Sequence, residues 1–385
     1  MTIPKEFADA VLLLGIGAVL FSILILSSKK ESSSSNRVAL VILLFGCIRF
    51  IGILMRSTVH LHGIPVYLFF DIKLFFVDGI LIYWFSSTLL DKNFNWRFMW
   101  PHLLPIPFIM ITAVYPLFTI PLHELNKLYF SHAFAQESNA YETNYIQNTL
   151  ISIIVFHNGF YLFLSFKKLK QYRSVIKNQF SSLSKINLNW LLKLLITWFC
   201  LLWIPLAIMS FSLIDHSFDY LGIRNLFVIC IVSITIYFGY HATLQKYQLV
   251  ESGDIKNNNK AKKSFKENEE EQLEGLASTF RVLESYMTEY KPFLDPELSL
   301  GELAKRVNIK PHLLSMVINR KFESNFFDFI NQYRIKEVCK ELKSTSDPIM
   351  IIAYRCGFNS KSTFNAVFKK FTNMTPTAFR KQKSH

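Results

Sequence analysis

Before Ala242 the chain repeatedly offers apolar runs long enough to cross a bilayer. A segment immersed in hydrocarbon finds no water for its amides, so such runs fold as helices that close their own backbone hydrogen bonds. About seven candidate spans emerge, each near the ~20 residues that a bilayer core requires. They are Phe7 to Leu26, Val38 to Met55, Tyr67 to Leu90, Trp100 to Phe118, Tyr145 to Phe166, Leu191 to Leu213 and Ile223 to His241. Charge gathers after this region, so no single globular class describes the whole chain. The expected fold is all-α: a multi-pass transmembrane helical domain at 1–242, a charged polar linker at 243–272 and a second helical domain at 273–385 with its core at 298–381.

Topology follows from the basic residues. Alternate connections hold Lys29, Lys30 and Arg37, then Lys92 and Arg97, then Lys167, Lys168, Lys170, Arg173, Lys177 and Lys185, whereas the others hold only Lys5, Arg56, Lys127 and Arg224. Basic loops stay in the cytoplasm. The N-terminus is therefore expected outside a cytoplasmic (inner) membrane, and everything after His241 in the cytoplasm. The first run has Glu6 just ahead of it, Asp9 at its start and Ser27-Ser28-Lys29-Lys30 behind it, which predicts a retained helix rather than a signal peptide.

Cys47, Cys200 and Cys230 fall within spans, Cys339 and Cys356 fall at helical positions, and none has metal-ligand spacing. The chain also lacks an HExxH-like cluster, a phosphate-cradling glycine loop and a Gly-x-Ser-x-Gly elbow. Neither an enzyme, a cofactor nor a metal is expected.

Between Gln245 and Glu271 the chain is polar and irregular, with Lys256, Lys260, Lys262, Lys263 and Lys266. It reads either as a tether drawn to anionic headgroups or as a plain solvated linker. A helix follows with Leu273, Leu276, Phe280, Leu283, Met287 and Tyr290 on one stripe. That heptad-like spacing fits a homodimer contact or packing on the domain behind it.

In the last hundred or so residues one helical phrase occurs twice. Ala304-Lys305-Arg306-Val307-Asn308-Ile309 returns as Ala353-Tyr354-Arg355-Cys356-Gly357-Phe358, each followed by a second helical stretch. Ser299-Leu300-Gly301-Glu302 has capping-box spacing, and Asp347-Pro348 reads as a cap with a first-turn proline. Asn308 and Gly357 supply the left-handed turns. Leu303, Ala304, Val307, Leu314, Val317 and Ile318 face inward in the first copy, and Phe364, Val367 and Phe368 in the second. A helix from about Phe326 to Leu342 joins them. Helix, tight turn and helix is the shape of a DNA reader, and two in one chain fit adjacent major-groove segments.

The segments ELAKRVNIKPHLLSMVIN, NFFDFINQYRIKEV and IIAYRCGFNSKSTFNAVFKKFTNMTPTAFR resemble the DNA-binding domain of AraC/XylS-type transcription regulators. Gly357-Phe358, Ser360, Phe364, Phe368-Lys369-Lys370, Pro376 and Arg380 carry the more specific part of that resemblance. The whole arrangement resembles the membrane-anchored branch of the family. It implies a sequence-specific regulator of transcription, with double-stranded DNA and the lipid bilayer as partners. His312, Ser315 and Met316 in the first unit, and Lys361, Ser362 and Asn365 in the second, then occupy base-facing positions. Lys361 suits guanine and Asn365 adenine. Phosphate contacts fall to Arg320, Lys321, Lys369, Lys370 and Arg380. Where the family often has a glycine after each reading helix, this chain has Glu323 and Asn373, and Val338 stands where an alanine is usual.

Ionisable residues inside spans are costly and therefore informative. Arg49, Asp71, Lys73 and Asp78 fall at similar or heptad-related depths, which predicts that Arg49 pairs with Asp71 or Asp78. The cluster reads as a structural pair or as the site of an unknown small ligand or membrane signal. His157 fits a helix-to-helix hydrogen bond, Pro101, Pro105, Pro107 and Pro116 fit a bent fourth span, and the aromatic-rich 119–144 connection fits a lid. The alternative to a regulator is a transporter-like or other membrane protein with a helical regulatory or protein-binding tail.

Overall fold

A computed structural model describes residues 5–29, 33–58, 75–91, 94–104, 140–184, 186–214, 220–245 and 269–382, with the isolated positions 107 and 121. Most of the expected linker, the 119–144 connection and the fourth span lie outside the described residues, as do Asp71 and Lys73. Regular structure among the described residues is helical, with one isolated antiparallel bridge, Phe180 to Ser299. The chain divides into two compact units: 1–169 with 189–249, and 170–188 with 250–385.

The first unit contains α1 (Lys5–Ser27), α2 (Ser34–Thr58), α3 (Phe76–Leu90), the short α4 (Trp100–Leu103), the first part of α5 (Ala140–Gln179), α6 (Asn189–Ile214) and α7 (Tyr220–Leu244). Helix α1 packs on α2 and α7, and α2 packs on α3. Small residues permit this closeness: a Cβ on Gly15 of α1 would lie 2.6 Å from Val232 of α7. Outward faces stay apolar, with Leu14 72%, Phe156 71% and Leu24 68% exposed.

Among the described residues three helices, not seven, are long and apolar enough to cross a membrane: Glu6–Ser27, Ser34–Leu54 and Asn225–Leu244. Phe76–Leu90 and Asn189–Ile204 are apolar but shorter. Among the described residues the expected count of seven is thus corrected to three. The start of the third expected span, residues 67–74, and most of the fourth lie outside the described residues, and the fifth lies within the 40-residue α5.

The second unit contains the end of α5, then α8 (Glu269–Glu289), α9 (Leu300–Arg306), α10 (Pro311–Lys321), α11 (Phe326–Ser344), α12 (Ile349–Arg355), α13 (Lys361–Thr372) and α14 (Pro376–Lys381). Two apolar cores share α11. Phe326, Phe329 and Ile330 enter the first with Leu303, Ala304, Leu314, Val317 and Ile318. Ile335, Val338 and Leu342 enter the second with Ile352, Ala353, Phe364 and Phe368. Residues four apart on a helix share a face, so one nineteen-residue helix serves both cores from successive turns. Leu283 and Met287 of α8 are fully buried in the first core, with Phe280 against it. Phe280, Leu283 and Met287 therefore serve intradomain packing and are unavailable to the alternative homodimer contact, whereas Tyr290 of the same stripe is exposed.

Candidate DNA-binding surface

The two helix-turn-helix units close with the same hydrogen bonds. In the first, Val307 N donates to Leu303 O and Ile309 N to Ala304 O at 2.9 Å, with Asn308 at φ 55°. In the second, Cys356 N donates to Ile352 O and Phe358 N to Ala353 O at 3.0 Å, with Gly357 at φ 87°. The bond spanning five residues ties off a carbonyl that the ending helix would leave bare. Ala304 and Ala353 are buried where the paired helices cross.

Caps then launch the second helix of each unit. Pro311 opens α10 after extended Lys310, and the Ser360 hydroxyl accepts from Thr363 N to start α13. At α9 the Ser299 hydroxyl accepts from Glu302 N, while the Glu302 carboxylate receives Arg306 at 2.7 Å. Asp347 does not cap α12. Its carboxylate pairs with Arg355 at 2.5 Å, and Pro348 takes the cap position with no side-chain bond. A nearby guanidinium is a stronger partner for a carboxylate than a lone amide.

Each reading helix ends on a left-handed residue, Glu323 at φ 49° and Asn373 at φ 56°. Asparagine adopts this conformation more readily than glutamate. The first unit thus carries the less comfortable stop.

The outward faces of α10 and α13 carry the residues expected at bases. His312, Lys361, Ser362 and Asn365 are exposed, and Ser315 is half-buried. Met316 packs partly against the first core, which reduces what it offers outward. Ser362 shares a 2.9 Å hydrogen bond with the capping Ser360. The Asn319 amide is turned back onto Ser315.

The expected phosphate contacts separate into two groups. Arg320, Lys321 and Lys369 are exposed and are in no ion pair among the described residues. Lys370 instead binds Asp328 of α11 at 2.6 Å. Arg380 donates to the Asp347 carbonyl at 2.7 Å and is half-buried. Both fasten α13 and α14 to the rest of the unit, so they are less available to a ligand.

Arg334, which sequence reasoning did not single out, is 1% exposed at the centre of α11. Its Nε donates to Phe293 O at 2.7 Å, Nη2 to Asp295 O at 2.7 Å and to Ser181 Oγ at 3.1 Å, and Nη1 to Ser181 O at 3.1 Å. Burial pulls this guanidinium down to about 10, and Asp295 partly offsets the effect. Carbonyl oxygens here replace the water that a charged group requires. The signal was present in the sequence. Ile330, Arg334 and Val338 are spaced by fours, so a charge stands on an inward face.

In the first unit, Arg49 and Asp78 form a buried pair, one of the two pairings expected of Arg49, Nη2 to Oδ1 at 2.6 Å and Nη1 to Oδ2 at 2.9 Å. Phe75 lies 4.6 Å from the guanidinium carbon. The pair lines a cavity of about 40 Å³ with Phe45, Trp198 and Phe238. Arg49 Nε and Trp198 Nε1 have no hydrogen-bond partner among the described residues. His157 stacks on Phe76 at 3.5 Å, whereas neighbouring Asn158 bonds to Gly79 N and Phe75 O and joins α5 to α3. No group of metal-ligating side chains occurs among the described residues.

Two tandem helix-turn-helix units with shared central helix define a class of DNA-binding domain. The family comparison agrees: residues 303–382 match the helix-turn-helix domain family, and this C-terminal domain is of the AraC/XylS type. The chain is 34% identical over 84 residues to an uncharacterized HTH-type transcriptional regulator of Staphylococcus aureus (strain COL), covering 22% of this chain and 11% of the relative. It is 28% identical over 89 residues to the uncharacterized HTH-type transcriptional regulator YtdP of Bacillus subtilis, covering 23% and 12%. It is 25% identical over 92 residues to the multiple antibiotic resistance protein MarA of Salmonella typhimurium, covering 24% and 72%. The match thus spans only about an eighth of the length of the larger regulators. The family match at 303–382 falls wholly within the second unit.

Proposed function

We propose that this protein is a membrane-anchored, sequence-specific transcription regulator that couples a signal at its N-terminal part to DNA binding. The observation that carries the reading is the combination in one chain of two helix-turn-helix units and a set of apolar helices with outward-facing Leu14, Leu24 and Phe156. Domains at 1–242, 243–272 and 273–385 belong to this reading, with residues 170–188 packing into the last of them, the N-terminus outside and the DNA-binding domain in the cytoplasm. His312, Ser315, Lys361, Ser362 and Asn365 read bases, and Arg320, Lys321 and Lys369 supply most of the phosphate affinity. The Arg49–Asp78 pair, with Arg49 Nε and Trp198 Nε1 left without a protein partner among the described residues, supports a sensing role, because a polar ligand bound to these two donors would load α2, α3 and α6 together.

The test is selection of duplexes from a random pool by the full chain in lipid nanodiscs, repeated with Lys361→Ala and Asn365→Ala. The expected result is a motif of two segments about one helical turn, roughly 34 Å, apart, with one segment degraded in both variants. A folded chain that enriches no sequence refutes the regulator reading.

A further inference from the structure

The second unit includes a piece of chain from far outside the C-terminal third, residues 170–188, between α5 and α6. We infer that the segment from Phe180 to Leu188 is a docked coupling element that fixes the geometry of the DNA reader and carries displacements of α5 to it. The inference rests on the regulator reading for its functional half and on the geometry for its structural half.

The docking is specific. Phe180 and Ser299 form an antiparallel bridge, and Ser181 N and Oγ both donate to Leu298 O, at 3.2 and 2.6 Å. Ser181 is 1% exposed, and both its carbonyl and its hydroxyl accept from Arg334. Leu183 packs against the second core. Ser182 and Ser184 bond to the Asn359 side chain, at 2.9 and 3.3 Å. The segment also closes back on the helix that delivers it: Tyr172 Oη donates to Ile186 O and Arg173 Nε to Asn187 O.

These contacts fall at sensitive places. Ser299 caps the first helix of the first helix-turn-helix unit, and Asn359 immediately precedes Ser360, the cap of the second reading helix. Arg334 lies on the helix common to both units and donates to Phe293 O, an oxygen that crowds Gly357. One short segment thereby bears on both units at once. If it leaves, Arg334 loses two acceptors, and an unpaired buried guanidinium is strongly disfavoured unless water replaces them. That penalty favours two discrete arrangements, docked and released, over a continuum, which is the property a switch requires.

Hydrogen exchange on the full chain in nanodiscs tests the docking, and duplex affinity tests the coupling. The expected result is that residues 180–188 exchange as slowly as α11, and that Ser181→Ala with Leu183→Asp abolishes this protection while α11 keeps its own. Affinity for the selected duplex is then expected to change at least fivefold without a change of motif. Should the double variant unfold α11, Ser181→Ala alone provides the same comparison. Unprotected 180–188 in the wild type overturns the docking, and an unaltered affinity on release overturns the coupling. A chain that selects no duplex refutes the regulator reading instead, and exchange still decides the docking.

Discussion

Replacing Gly357 by alanine probes the most demanding turn of the DNA-binding unit. At φ 87° an L side chain is strained, and the added Cβ would meet Phe293 O at 2.6 Å and Leu294 O at 2.8 Å. The left-handed backbone costs about 1–2 kcal/mol, and relieving an overpacked site adds about 1–3 kcal/mol. A total near 3 kcal/mol corresponds to roughly a 150-fold rise in the open population. The adjoining residue supplies the assay. Cys356 is fully buried, and burial with nearby Glu341 pushes its thiol up to about 12, so the closed form is inert to alkylation. In a full chain whose Cys47, Cys200, Cys230 and Cys339 are alanine, the alkylation rate of Cys356 tracks opening. Gly357→Ala is expected to raise that rate on the order of 100-fold. A rise below about fivefold, equivalent to less than about 1 kcal/mol, would refute the argument that these carbonyls confine the turn.

Glu323→Gly should act in the opposite direction. It relieves a φ of 49° and should stabilise the unit by about 0.5–1 kcal/mol after glycine's larger unfolded-state entropy is subtracted, read as slower Cys356 alkylation. The raised thiol pKa gives a pH signature. Between the ordinary value of 9.0 and about 12, the unfolded chain sheds a proton that the folded chain keeps, so stability falls as pH rises. Cys356→Ala should remove that part of the decline, by about 1.4 kcal/mol per pH unit, in denaturant titrations at pH 9.5 and 10.5. For the buried ion pair, Arg49→Ala should cost about 3 kcal/mol by stranding Asp78, whereas Arg49→Leu with Asp78→Leu should cost far less; thermal melts in detergent discriminate the two. In duplex binding, Lys369→Ala should reduce the slope of log affinity against log salt by about 0.9, while Lys370→Ala, whose ammonium is held by Asp328, should reduce it less.

What could be read from the sequence was local or periodic. Asn308 and Gly357 were identifiable as turn positions because few residues tolerate a left-handed backbone, Glu323 and Asn373 because the resembled family often has glycine there, and all four adopt it. The inward faces of α9, α10, α11 and α13 followed from helical spacing, and of the two partners open to Arg49 the structure shows Asp78, one heptad from Asp71. What could not be read depended on competition between partners. Charge marks Lys370 and Arg380 as basic but not as already engaged by Asp328 and the Asp347 carbonyl. Asp347 had the spacing of a cap, but Arg355 engages its carboxylate and Pro348 stands at the cap position. Ser181 and Arg334 stand 153 positions apart, beyond the reach of any periodicity. The Lys361 and Asn365 faces are exposed in the structure, and their reading of bases is the proposal that duplex selection tests.

The inclusion of residues 170–188 in the second unit changes what proteolysis would mean for this chain. A cut between 245 and 269 severs the C-terminal piece from its sequence neighbours, yet Ser181 and Leu183 remain on the other product. Such a fragment diffuses away with Arg334 short of acceptors and a gap beside its second core. Cleavage is thus subtraction rather than liberation: the cut divides the chain into two pieces, but not into two finished domains.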